Sequence, residues 1–125
     1  MKYKGVFYFF LIVSYSLSAV GNEITLIKPL NKNDEKLYRK VFELQTEGEF
    51  KEAEKLVKKI ENDILIGRVK AQKFLHPTGY ISKFVELRDW LEKYGDHPSA
   101  SRIYWLSKRK KPKSSKSAKN RLVVI

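Results

Sequence analysis

Two histidines carry most of the chemistry this chain could offer, and each stands before a proline. His97 follows Asp96 and precedes Pro98 in KYGDHPSASRIYWL, residues 93–106, and His76 precedes Pro77 at the end of DILIGRVKAQKFLHP, residues 63–77. An Asp beside a His could orient a general base, and two histidines could hold a metal if a third donor stood at a fitting spacing. No carboxylate or further histidine stands at such a spacing, and the chain has no nucleophile elbow and no Gly-rich phosphate loop. Both corners fall at helix boundaries instead. The residue before a proline is pushed out of helical geometry, Asp96 is placed to cap a helix, and Pro98 suits its first turn. The corners read as structural.

Glu43, Glu47, Glu49, Glu52 and Glu54 lie close together and could pair for acid–base work. A general acid needs burial or a like-charged neighbour to raise its pKa. These glutamates interleave with lysines, which is the pattern of a solvated helix face. The chain has no cysteine, so disulfides, thiolate nucleophiles and zinc-thiolate sites are excluded. No catalytic residue, metal ligand or cofactor is expected.

Aromatic residues are the more informative class. Tyr80, Trp90, Tyr94, Tyr104 and Trp105 cluster in the second half, and the spacing puts Trp90 in the core. Tyr104 and Trp105 are consecutive and cannot share a helix face, so one must be exposed or meet a neighbour. An exposed Trp can stack on a sugar ring or fill a partner's pocket. Tyr80, Tyr104 and Trp105, with the basic run Lys108, Arg109, Lys110 and Lys111, are the candidate ligand or partner contacts.

The elements that must position them are helices. Leu37, Tyr38, Val41 and Leu44 recur at helical spacing, so residues 34–47 form a helix capped by Asn33 or Asp34 and stopped by Gly48. A second runs from Phe50 to about Glu61 with Ala53, Leu56, Val57 and Ile60 inward. Gly67 and Ala71, four apart in the third, suit close approach to a neighbour. Ile81, Phe84, Leu87, Trp90 and Leu91 make the inner stripe of a fourth, ending at Tyr94-Gly95, and Ala100, Ile103, Tyr104 and Leu106 begin a fifth. The fold class is all-α, with short antiparallel helices in an α-solenoid or tetratricopeptide-like superhelical arrangement.

Charge divides the chain. After the N-terminal lysines, residues 22–106 hold 16 basic and 14 acidic residues, while 107–125 hold eight basic residues and no acid. Residues 1–21, with lysines, an apolar run GVFYFFLIVSYSL and then small residues, read as a signal peptide. An extended leading segment spans 22–33, the helical domain 34–106, and a basic, disordered tail 107–125. The protein is expected to be exported and periplasmic, or anchored to the inner membrane if the signal stays uncleaved. The tail could meet an anionic surface, and nucleic acid is disfavoured as a partner for an exported chain.

Residues 36–112 resemble the N-terminal helical region of soluble-type lytic murein transglycosylases, especially the alphaproteobacterial members. The resemblance rests on LIGRVKAQKFLHPT (65–78) and LRDWLEKYGDHPSASRIYWL (87–106), with two His-Pro corners in the same order. It implies the opening of an α-solenoid that precedes a lysozyme-like catalytic domain acting on peptidoglycan. The family's catalytic Glu-Ser, Gly-Leu-Met-Gln and Asn-rich motifs do not occur here, and VELRD around Glu86 is no equivalent. The resemblance thus implies a non-catalytic periplasmic domain that binds or docks at the cell wall, with peptidoglycan or a cell-wall enzyme domain as partner. The alternatives are a truncated or split piece of a lytic transglycosylase and a tetratricopeptide-like interaction adaptor.

Overall fold

The computed structural model describes residues 28–119; the expected signal peptide, most of the expected leading segment and the terminal RLVVI lie outside the described residues. Asn31 opens the first helix, α1 (Lys32–Thr46), its side-chain oxygen accepting the Asp34 amide at 2.7 Å. The expected caps, Asn33 and Asp34, thus lie inside the helix. Asp34 is fully buried and serves a different partner: its carboxyl accepts the backbone amides of Glu61 at 3.1 Å and Asn62 at 2.9 Å. One turn further on, the Tyr38 hydroxyl donates to the Asn62 carbonyl at 2.6 Å. Burial, with Asp34 and Asp63 nearby, raises the Tyr38 hydroxyl above its ordinary pKa and keeps it a donor.

These bonds draw the chain after the second helix back onto α1, and so α2 (Phe50–Val57) stops short of the expected Glu61. Between α1 and α2 the chain turns on Gly48, whose φ of +83° lies in the left-handed region that glycine adopts without a side-chain penalty. Glu49 N–H donates to the Leu44 carbonyl and Gly48 N–H to the Gln45 carbonyl, the paired bonds of a Schellman end.

The remaining helices are α3 (Ile66–Phe74), α4 (Phe84–Tyr94) and α5 (Ala100–Lys110). Every regular element among the described residues is a helix. The pairs α1–α2 and α4–α5 pack most closely, and α3 lies between them, against α1 and α4. Two apolar clusters follow from this. Val69 of α3 joins Tyr38, Val41 and Ala53, while Ala71 and Phe74 join Leu87, Trp90, Leu91, Ala100 and Ile103. Fully burying each large apolar side chain contributes about 1.5–3 kcal/mol, so α3 ties both halves together.

Small residues let α3 come close to α4, as their spacing anticipates. A Cβ on Gly67 would lie 2.8 Å from two carbons of the Tyr94 ring, and the buried Gly67 carbonyl accepts the Trp90 indole N–H at 2.9 Å. Ile81 departs from the sequence reading. It is 81% exposed because α4 begins only at Phe84, so the inner stripe does not extend back to it. The Leu106 boundary also shifts: α5 runs to Lys110 with Ser107 buried, and Ala118 packs into the Trp90–Ile103 cluster. A single small apolar residue in a lysine-rich stretch is enough to bring the chain back to the core there.

Candidate binding groove

The two His-Pro corners bound one groove. At the first, His76 Nδ1 accepts the Gly79 amide at 2.7 Å and its ring meets the Phe50 ring edge-on at 5.2 Å. At the second, His97 Nδ1 accepts the Ser99 amide at 3.0 Å and its ring meets Trp90 edge-on at 5.3 Å. With Nδ1 accepting, the ring proton sits on Nε2. Each histidine braces its own turn, and at the second corner the bond comes from His97 where the sequence suggested Asp96.

Between the corners lies a cleft of about 870 Å³ lined by Phe42 and Thr46 of α1, Arg68 and Gln72 of α3, and Arg102 of α5. Gln72 Nε2 donates to the Phe42 carbonyl and to Thr46 Oγ1, which fixes the α1–α3 wall. The Arg68 guanidinium lies 5.7 Å from the centre of the Phe42 ring, a cation–π placement. A second hollow of about 450 Å³ shares Leu75, His76, Pro77 and Arg102 with the first and extends it to Trp105, Leu106 and Arg109. Three arginines line the combined groove and no Asp or Glu does.

Of the contact residues picked from sequence, Trp105 and Arg109 line this groove. Trp105 is 59% exposed, and the Lys108 ammonium sits 4.8 Å from its ring. Tyr104 turns the other way and packs half-buried against the core cluster. Lys110 donates to the Ser82 carbonyl at 2.7 Å and Lys111 to Ser117 Oγ at 3.1 Å, so both hold chain segments in place.

Tyr80 lies outside the groove. Its hydroxyl donates to Glu86 Oε1 at 2.6 Å, its ring packs on Phe50 and Phe74, and the Lys73 ammonium stands 4.2 Å over it while also pairing with Glu54. Burial and the Glu86 bond push the Tyr80 pKa up to about 12. Burial also acts to raise the Glu86 pKa, but the Tyr80 bond, the Lys83 amide and the charges of Lys73 and Lys83 outweigh it and hold the carboxyl below its ordinary value. Glu86 Oε2 accepts the Lys83 amide at 2.8 Å, which stabilises the start of α4. Its place is structural.

Arg68, Arg102 and Phe42 were not singled out from sequence. Arg102 had a signal, since Arg102, Trp105, Leu106 and Arg109 recur at the spacing of one helix stripe; Arg68 reaches the groove only through the α1–α3 packing. Among the described residues no group of three or more His, Asp or Glu is placed to hold a metal ion, and no helix is long and apolar enough to cross a membrane.

The chain matches no family model, no curated protein and no solved structure.

Proposed function

We propose that the chain is an exported, non-catalytic helical module that docks at the cell wall, built like the α-solenoid opening of a soluble-type lytic transglycosylase. One observation carries the docking reading. The basic stretch after Leu106 is joined to the folded body through the last turn of α5 and the buried Ala118, so Lys108, Lys113 and Lys116 ride exposed on a shaped surface. Each lysine close to an anionic surface contributes about 1 kcal/mol, and several together hold a small domain there. The resemblance of residues 36–112 supplies the wall as the surface.

Removing the tail would expose the cluster that Ala118 covers, so charge substitutions test the reading better than truncation. Lys108→Gln, Lys113→Gln and Lys116→Gln together should release the protein from purified wall material at a lower salt concentration than the parent. Unchanged co-sedimentation across the salt series would remove the tail as the contact.

A second reading, the front portion of a wall-cleaving enzyme, draws on Ile81 and Val85. They are 81% and 52% exposed, Ile81 just before α4 and Val85 in its first turn, and offer an apolar seat for a further domain. Detection in native cells of a longer species carrying the epitope 36–106 would favour it over the stand-alone module.

A further inference from the structure

Arg102, Trp105, Leu106 and Arg109 occupy positions i, i+3, i+4 and i+7 of α5, a single stripe of the helix, and all four line the groove. The seven-residue step between the arginines spans about 10 Å along the helix axis. None of Arg68, Arg102 and Arg109 takes part in an ion pair among the described residues. A guanidinium with no carboxylate of its own, set in an apolar-walled cleft, is suited to an incoming carboxylate, which it can grip through two hydrogen bonds.

The shape narrows the occupant. A flat lipid surface does not reach into a concave cleft, and a phosphate chain has no apolar group to cover Leu75, Trp105 and Leu106. An extended peptide has both kinds of group. In the polyproline II conformation the chain repeats every three residues over about 9 Å, so acids at i and i+3 point the same way at nearly the spacing of the two arginines.

We propose that the groove binds an extended acidic peptide segment of a protein partner, with two carboxylate side chains three residues apart on Arg102 and Arg109 and the intervening apolar residues on Trp105 and Leu106. Arg68 then receives a third acid or the peptide's own carboxyl terminus. This inference does not depend on wall docking, since it uses the groove and not Lys113 or Lys116.

The test uses a fluorescein-labelled peptide with the core Glu-Leu-Pro-Glu and its counterpart with Gln in place of each Glu, read by anisotropy on the full chain. The acidic peptide should bind at least tenfold tighter than the Gln peptide. Arg102→Gln and Arg109→Gln should each weaken it severalfold with unchanged helical circular dichroism, Trp105→Ala should weaken it as well, and Lys113→Gln should leave it unaltered. Equal binding of the Gln peptide would overturn the proposal. So would a Lys113→Gln loss as large as that of Arg109→Gln, or full displacement by anionic phospholipid vesicles, because either would mean that charge alone is recognised. Loss of wall co-sedimentation in the Lys113→Gln and Lys116→Gln variants with peptide binding intact would separate this groove from the docking surface.

Discussion

His76 and His97 line one groove from separate turns, and each spends Nδ1 on a backbone amide of its own corner, that of Gly79 at 2.7 Å and that of Ser99 at 3.0 Å. The walls of the groove are therefore set by side chain-to-backbone bonds, with Phe50 and Trp90 bracing the rings from behind.

Replacing either histidine should separate bracing from chemistry. His76→Ala and His97→Ala should each lower stability by about 1 kcal/mol, the value of one side chain–backbone bond, plus what the lost ring contact adds. His76→Asn and His97→Asn, which keep an acceptor near the same place, should recover part of that. Urea midpoints of the four variants check it, and equal losses for Ala and Asn would show that the ring contact alone matters.

Gly67→Ala tests the α3–α4 approach. The new methyl would fall within 2.8 Å of the Tyr94 ring, so that ring must move, at a cost of about 1–3 kcal/mol typical of an overfilled core. The adjoining bond from Trp90 to the Gly67 carbonyl should lengthen and shift the Trp90 emission. Adding Tyr94→Ala to Gly67→Ala should cost less than the sum of the two single changes, because the clash goes with the ring.

Much of this arrangement is legible in the sequence, and the misses share a physical origin. The helix stripes, the Gly48 stop and the close approach at Gly67 follow from local spacing, which a single chain segment carries by itself. Asp34 suits a cap by its local surroundings, yet the amides of Glu61 and Asn62, remote in sequence, decide its role. Ile81 fits the stripe on paper, but α4 starts after it. Ala118 is indistinguishable from the lysines around it until the α4–α5 pair offers it a place in the core. The groove is the least legible feature, since Arg68 and Arg102 meet only through the packing of separate helices.

The Tyr80–Glu86 pair contributes to both ends of a stability profile against pH, with the raised Tyr38 hydroxyl adding to the alkaline end. Glu86 has a depressed folded pKa, so its contribution is present above the unfolded value of 4.5 and is lost as pH falls through the lower folded value. Tyr80 has a raised one, so its contribution is complete below 10.0 and is lost as pH rises toward about 12. Glu86→Gln should flatten the acid limb below pH 4.5 and reduce the alkaline loss, because the tyrosine then faces a neutral partner. Thermal melts of the parent and this variant across that range check both limbs; identical acid limbs would remove Glu86 as a source of acid sensitivity.

The central claim is that this chain docks at the cell wall without cutting it. The measurement that bears on it most directly is incubation of the purified protein with purified wall material, followed by assay of both the pellet and the supernatant. The account predicts protein in the pellet at low salt and no soluble wall fragments released over time. Release of wall fragments, or protein that stays in the supernatant at low salt, would contradict it.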